Sequence, residues 1–443
     1  VKSPQQAAAP EPLATLTVEA NNQSDQSKLA PHSALKFVVL MGCISLLADM
    51  TYEGARSITG PYLALLGASA FAVGIVAGAG ELVGYTLRLL SGYVTDRTEN
   101  YWGMAFLGYA TNLIAVPLLA LAGRWEVAAL LIIMERTGKA LRAPARDAML
   151  SHATKSMGRG KGFGLHKAMD QTGALLGPII ITTVLYFKGT SNEQATPLIG
   201  THHSLMQGTH PAQLAGYQLG FAVLAIPALL ALCVLLVARF LYPHPQHLEV
   251  KRIELESKGF SKAYWTYLAA VALIAAGYAD FPLIAYHFKK VALAPDNWIP
   301  LFYSLAMGVE AVTALICGRL FDRNGFSVLL IAALFSALFA PLIFLGNLPL
   351  AFAGIILWGL GTGAQESVMK AAVADMVPAN RRGSAYGVFN TGYGVCWFLG
   401  SALIGFLYDH SILALVIFSV VIQLASIPLF MKVQRNPLGR TSN

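Results

Sequence analysis

Asp49, Glu53 and Arg56 stand at i, i+4 and i+7, with Tyr52 beside them, so any helix holding them shows all three on one face. Glu135, Lys139, Arg142 and Arg146 repeat the pattern at i, i+4, i+7 and i+11, with Arg136 and Asp147 adjoining. His166 and Asp170 are again four apart, as are Glu366 and Lys370. Glu81, Asp280, Glu310 and Gln365 complete the set of polar residues set into apolar runs. A carboxylate kept dry and without a cation takes up a proton at neutral pH, and gives it up when water or an arginine reaches it. That chemistry suits Asp49, Glu53 and Asp170 as proton carriers, and a histidine beside an aspartate suits a relay through His166. Arg56, Glu135, Arg136, Lys139, Arg142, Asp280, Glu310, Gln365 and Glu366 are then expected to line a substrate cavity. The plain alternative is mutual neutralisation: Glu53 with Arg56, Glu366 with Lys370, and Glu135 with the cations around it. For Arg146 and Asp147 a solvated or gating salt bridge is the simpler expectation.

The elements that carry these residues must be membrane helices. Of 443 residues 56% are hydrophobic and only 12% charged, whereas a soluble domain has about 25% charged residues. Mean hydropathy is +0.57. Apolar runs of about 20 residues recur end to end, the length that crosses about 30 Å of hydrocarbon. The net charge of +8 is spread thinly, not gathered on the polar faces that a nucleic-acid binder displays. A soluble enzyme, a disordered tail protein and a nucleic-acid binder are excluded. Cys43, Cys233, Cys317 and Cys396 each lie within an apolar run at no ligand spacing, as small buried side chains do.

Twelve spans are predicted, near 36–66, 70–92, 102–122, 125–149, 162–187 and 213–241, then 263–288, 298–320, 326–346, 349–377, 383–407 and 411–431. The fold class is therefore an all-α membrane protein of twelve transmembrane helices in two six-helix bundles, 35–241 and 263–433, joined by a polar linker over 242–262. Residues 1–34, rich in Ala, Pro, Gln and Ser, read as a disordered and uncleaved tail; 434–443 form a second tail. Lys and Arg collect on the side of the linker and both tails (Lys36, Arg97, Lys161, Arg239, Arg323, Lys432), which predicts that this side is cytoplasmic and that 188–212 face outward. At 1.5 Å per residue from Lys36, Asp49 lies about 20 Å into its span, hence centrally.

The halves repeat one another. Arg159-Gly160-Lys161-Gly162-Phe163-Gly164 returns as Arg382-Gly383-Ser384-Ala385-Tyr386-Gly387, a shift of 223 that also lays Gly138 on Gly361 and Gly177 on Gly400. Gly92, Asp96 and Arg97 return as Gly318, Asp322 and Arg323 at a shift of 226. Such duplication is a transporter design, with the pathway between the repeats.

Gly92-Tyr-Val-Thr-Asp96-Arg97, between spans 2 and 3, resembles the signature of the major facilitator superfamily, Gly-x-Leu-x-Asp-Arg-x-Gly-Arg. Val94, Asn100 and Tyr101 depart from it, and the copy Gly318-Arg-Leu-Phe-Asp322-Arg323-Asn-Gly325 is closer. The resemblance covers about 36 to 431; both copies are expected to gate the cytoplasmic side, as are Arg146 and Asp147 from their place near the cytoplasmic end of span 4. On span 5, Gly164, eight residues, Gly173, three residues and Gly177-Pro178 are similar to a pattern of proton-exchanging exporters in that superfamily, although Ile181 and Thr182 replace its closing glycines. The span 4 residues, with Phe163 to Asp170, look like a broad group of bacterial permeases.

These observations predict an alternating-access secondary transporter of the inner or plasma membrane, a monomer working with protons and a small-molecule substrate, without cofactor or metal. Proton-coupled export of a small organic molecule is the first expectation. Proton-linked uptake of an organic anion, favoured by the cations of span 4, is the alternative, and an intramembrane enzyme is a remote third, suggested by Gly277-Tyr-Ala-Asp280 and Tyr408-Asp409. Gly158 to Gly164 lack the frame of a phosphate loop. His202, His203 and His210 have no carboxylate or cysteine to complete a metal site, and His244 and His247 fare no better.

Overall fold

A computed structural model describes residues 31–153, 159–193, 205–243, 259–369, 372–373, 376–377 and 382–435. Most of both tails, most of the linker, and Lys370, His202, His203, His244 and His247 lie outside the described residues. Among those described, every regular element is helical. The first half of the chain holds α1 (Pro31–Leu65), α2 (Ala70–Thr98), α3 (Tyr101–Leu118), α4 (Trp125–Ala153), α5 (Arg159–Glu193), α6 (Leu205–Val223) and α7 (Ala225–Leu241). The second holds α8 (Lys262–Gly277), α9 (Phe281–Lys290), α10 (Ile299–Asn324), α11 (Ser327–Ala337), α12 (Phe339–Phe344), α13 (Leu348–Ala364), α14 (Arg382–His410) and α15 (Ile412–Arg435). Starts are set by local capping: Ser69, Asn100, Ser261 and Asn347 each accept a backbone N–H from the first turn of α2, α3, α8 and α13.

Eleven stretches among the described residues are long and apolar enough to cross a membrane. α4 is not one of them, although it is 29 residues long, because Glu135, Arg136, Lys139, Arg142, Arg146 and Asp147 interrupt its apolar surface. Several boundaries move from their sequence expectations. α1 starts at Pro31, within the expected tail, while α5 and α6 extend to Glu193 and from Leu205, into the expected outer loop. Span 7 is two helices, since the chain leaves helical geometry at Tyr278–Asp280 before Pro282 restarts it. α13 ends in a π turn, Gln365–Met369, of the kind that often marks a functional site.

The repeated glycines occupy matching seams. A Cβ at Gly177 would fall 2.3 Å from the Met50 carbonyl oxygen of α1, and one at Gly400 would fall 2.2 Å from that of Ala276 on α8. Gly138 of α4 meets Asn112 of α3, while Gly361 of α13 meets Ser336 of α11. Equivalent glycines thus seat equivalent helix pairs, which is the physical content of the 223-residue shift. Without a side chain, two backbones approach where any larger residue would hold them apart.

The two halves meet where α2 packs on α14, α5 on α10, and α1 on α9 and α10. At the end of the molecule away from the linker this seam is tight: an added Cβ would lie 1.8 Å from the Pro282 oxygen at Gly60 and 2.3 Å from that of Ser401 at Gly74. Phe71 and Phe406 also touch there, ring centroids 6.0 Å apart. Toward the linker end the seam is looser: among the described residues an added Cβ would meet nothing within 4 Å at Gly84, midway along α2, or at Gly164. Outward from the bundle, apolar side chains stay exposed, Phe240 at 81% and Leu130 at 67%, as a lipid-facing surface requires.

Candidate functional site: a charged cavity between the halves

Between the halves lies a cavity of about 560 Å³. Its far wall stops near Arg56, Tyr303 and Trp397, and it extends toward the linker end past Arg146, Asp147 and Phe163. Helices of the first half supply most of its charge because the i, i+4, i+7 faces of α1 and α4 point inward together.

The carboxylates and cations of these faces pair mostly between helices, with two pairs inside α4. Glu53 of α1 meets Lys139 of α4 at 3.6 Å. Asp49 meets Arg142 at 3.8 Å, and Arg146 reaches Asp147 at 2.9 Å and Asp170 of α5 at 4.0 Å. Arg136 lies 3.3 Å from Glu135 and 3.6 Å from Glu81 of α2. Arg56 does not turn to Glu53: its Nη2 is 3.1 Å from Glu81 and 3.1 Å from Asp280 of the second half. The expected Glu53–Arg56 pair is thereby corrected, since i, i+3 neighbours on α1 find better partners across the seams. Aromatic faces complete the packing of these cations, with Lys139 Nζ 3.9 Å from the Tyr52 ring centroid and the Arg142 guanidinium 4.4 Å from that of Tyr109.

Asp49 of α1 and Asp170 of α5 are two acids on the same cavity wall, and each has a buried Oδ1 that meets no donor among the described residues. A proton on such a group would answer an orphaned acceptor, and like charges lining one cavity favour its uptake. Lys167 stands 3.5 Å from Asp170. His166 is bonded not to Asp170 but to Ser45 of α1, Nε2 to Oγ at 2.8 Å, because its ring turns toward the α1 seam.

The second half gives the cavity a different wall. Tyr303, Trp358, Tyr393 and Trp397 line it with Glu310, Gln365 and Glu366. Among the described residues Glu310 has no cation within ion-pair distance, and the Tyr393 hydroxyl donates to Gln365 Oε1 at 2.8 Å. Glu366 lines the wall on the π turn; its expected partner Lys370 lies outside the described residues.

Other expected positions fall elsewhere. Asp280 and Glu135 stand behind the cavity wall, not on it. Trp397 Nε1 and the Ser401 hydroxyl donate to Asp280 at 2.7 and 3.0 Å, and Asn112 Nδ2 donates to Glu135 Oε1 at 2.7 Å. Gly92, Asp96 and Arg97 lie at the linker end of α2, where Arg97 donates to the Tyr93 hydroxyl at 3.1 Å. Gly318 packs at the corresponding place beside Ser367; Arg323 is exposed near the end of α10, and Asp322 follows Phe321 on the same helix. Gly173 and Gly177 press on α1, a Cβ at Gly173 falling 2.1 Å from the Leu46 oxygen, and Pro178 adjoins them. Gly164 differs: it lies near the start of α5, where an added Cβ would meet nothing within 4 Å among the described residues, so the close packing expected of the whole glycine series is seen for two of its three members.

Tyr303, Trp358, Tyr393, Trp397, Arg88 and Lys167 were not singled out by sequence. A signal existed for two of them, since Arg88 follows Glu81, and Glu310 follows Tyr303, by seven residues on one helical face.

A helical, multi-pass membrane protein with a charged cavity on a pseudo-symmetric seam is the architecture of a secondary transporter. The sequence model of the Major Facilitator Superfamily matches residues 41–401 and 281–442, and the chain belongs to that family of transporters. Uncharacterised proteins of Mycobacterium tuberculosis and Mycobacterium bovis are each 37% identical over 401 residues, covering 89% of this chain and 92% of theirs. An uncharacterised transporter of this type from Methanocaldococcus jannaschii is 31% identical over 182 residues, 41% of this chain and 44% of its own. Among solved structures, an inward-facing bacterial homologue of the human lysosomal transporter Spinster aligns at a TM-score of 0.68 and 14% identity over 90% of this chain and 98% of its own. A D-xylose–proton symporter aligns at 0.66 and 14% over 91% and 98%. At such identities they share the fold.

Proposed function

We propose that this chain is a proton-coupled exporter of a small polar organic molecule, working by alternating access in the cytoplasmic membrane as a monomer. In this reading α4 is the twelfth span despite its charges, and 35–241 and 263–433 are two six-helix bundles that rock about the cavity. Both termini and the linker lie in the cytoplasm, so the cavity described above opens inward.

The orphaned oxygens of Asp49 and Asp170, both on the cavity lining, carry the reading. Two cavity carboxyl groups on different helices, each with an oxygen that meets no donor among the described residues, form a site that takes up a proton. Glu53 is a third carrier one turn along α1. Arg142, Arg146 and Lys167 surround the pair, and rearranging them changes how firmly the proton is held. The Gly173 and Gly177 packing agrees with export through the likeness of this helix to exporters. The cation row of α4 speaks less for anion uptake than its sequence suggests, because Arg136, Lys139, Arg142 and Arg146 each already face a carboxylate.

The test starts with thermal-shift screening against metabolites and drugs, since a ligand selective for the folded state raises its apparent stability. Counterflow and proton flux of the ligand found are then measured in proteoliposomes for Asp49→Asn, Glu53→Gln and Asp170→Asn. The reading expects at least one variant to keep exchange and lose drive by a pH gradient. Wild-type transport indifferent to an imposed pH gradient overturns the coupling, and accumulation driven in the uptake direction overturns export.

A further inference from the structure

The hydroxyl of Tyr303 donates to Oε2 of Glu53 at 2.5 Å, from α10 in the second half to α1 in the first. Glu53 Oε1 keeps Lys139, a partner from its own half. The carboxylate is therefore shared between a cation that travels with it and a neutral donor that does not. The phenol is held firmly: Tyr303 is 1% exposed, and its ring lies 4.3 Å from that of Phe281 and 6.4 Å from that of Trp358, centroid to centroid. A hydrogen bond to the ionised form of an acid favours that form. Here the donor exists only while the halves are docked at this level.

We infer that Tyr303 is a positioning residue that ties the proton on Glu53 to the docking of the two halves; this rests on the proton-coupled reading above. Docked, the phenol helps Glu53 stay ionised. Opening the far end draws α9 and α10 away from α1, so Glu53 loses the phenol and Arg56 loses Asp280 together. Glu53 then holds a proton more readily, and redocking expels it. Other groups facing Glu53 are Arg56 and Asp49 on α1, Lys139 and Arg136 on α4, and Glu310 beside Tyr303 on α10. Only the α10 groups change distance when the halves part, and of these the phenol is the one bonded to Glu53.

Infrared pH titration of the full-length protein in liposomes needs no substrate. The carboxylic C=O band removed by Glu53→Gln identifies Glu53. In Tyr303→Phe its midpoint should rise by about one pH unit, the scale of one charge-assisted hydrogen bond, and Tyr303→Gln, which restores a donor, should reverse part of that rise. A second arm leaves Tyr303 in place. Phe71→Cys with Phe406→Cys, in a background lacking the four native cysteines, locks the far end as a disulfide; the locked form should show the lower midpoint, and reduction should raise it. An identical Glu53 midpoint in Tyr303→Phe, or in the locked and reduced forms, overturns the inference and leaves the coupling reading standing. Loss of no titrating band in Glu53→Gln overturns this inference and removes Glu53 from the coupling carriers.

Discussion

Arg56 Nη2 lies 3.1 Å from Asp280 Oδ1, and this ion pair joins the middle of α1 to the break between α8 and α9. The break explains the pair. Asp280 occupies the N-cap position of α9 but caps nothing, which leaves its carboxylate for Arg56, Trp397 and Ser401. A continuous helix through Tyr278–Asp280 would turn that side chain with the rest of its face.

Replacing Asp280 should therefore cost stability in proportion to the partners orphaned. Asp280→Ala leaves Trp397, Ser401 and one side of Arg56 unanswered in a buried place, a loss of about 3–5 kcal/mol when one member of a buried pair is removed. Asp280→Asn keeps the shape and an acceptor, and should lose less. Thermal unfolding in detergent should rank wild type above Asn above Ala. Equal melting of Ala and Asn would show that the charge and its hydrogen bonds are not what holds the seam.

The glycines of α5 make a second comparison. A Cβ at Gly173 meets the Leu46 oxygen at 2.1 Å, whereas one at Gly164 meets nothing within 4 Å. Gly173→Ala should push α5 off α1, lowering the melting temperature and transport, and Gly173→Leu should be worse. Gly164→Ala should match wild type or gain slightly, because alanine is the better helix former by about 1 kcal/mol. Loss of fold at Gly164→Ala with tolerance at Gly173→Ala would reverse the seating of this helix.

Much of this was readable in the residues and some was not. Hydropathy placed the long helices, since each must hide some 20 residues of backbone from water, and the glycine repeat marked the matching seams. Helical spacing put Glu53, Lys139, Arg142 and Asp170 on inward faces. It did not say which charge meets which. Glu53 and Arg56 are neighbours in sequence, yet their partners come from α2, α4, α9 and α10, because pairing between helices depends on packing that no local pattern encodes. The aromatic wall of the second half was hidden for the reason that Tyr303 and Trp397 look like ordinary lipid-facing residues. The break at Asp280 went unread, since Pro282 is as common at a helix start as in a membrane kink.

Orientation offers a third test. Single cysteines at Asn324, beside the linker end, and at Gly123, at the opposite end, are both exposed positions. In a background without Cys43, Cys233, Cys317 and Cys396, an impermeant maleimide on intact cells should label position 123 and spare 324. The reverse pattern would invert the protein in the membrane and place the open cavity outside.

Asp409 makes a helix cap that belongs to two halves at once. Its carboxylate oxygens accept from the backbone N–H groups of Ala70 and Phe71 at 3.2 and 2.9 Å, so a residue of α14 caps the start of α2. An acid at a helix N-terminus contributes about 0.5–2 kcal/mol, which is up to a thirtyfold change in population. Asp409→Ala should shift the halves toward opening at the far end, read as a longer distance between spin labels at Gly67 and Ser411. An unchanged distance distribution would mean that the cap forms but does not hold the seam shut.

Among the described residues Arg142 is the most deeply set cation, 1% exposed, with Nε and Nη1 lacking hydrogen-bond partners there and Asp49 at 3.8 Å. A guanidinium so placed is kept by its neighbours jointly: the Tyr109 face at 4.4 Å, the Tyr52 face at 5.6 Å and the Asp49 charge. Removing either member of the ion pair strands the other. Arg142→Met and Asp49→Asn should each destabilise by a few kcal/mol, while the double variant, having no buried charge left at that contact, should be more stable than the sum of the two predicts by about 0.5–3 kcal/mol. Arg142→Lys should not restore wild-type melting, because an ammonium lacks the flat face that stacks on both tyrosines. The measurement is a double-mutant cycle by thermal unfolding, repeated at high salt to remove exposed charge effects. Additivity of the two substitutions would show that Arg142 does not hold Asp49 and is a packing element of the α3–α4 seam.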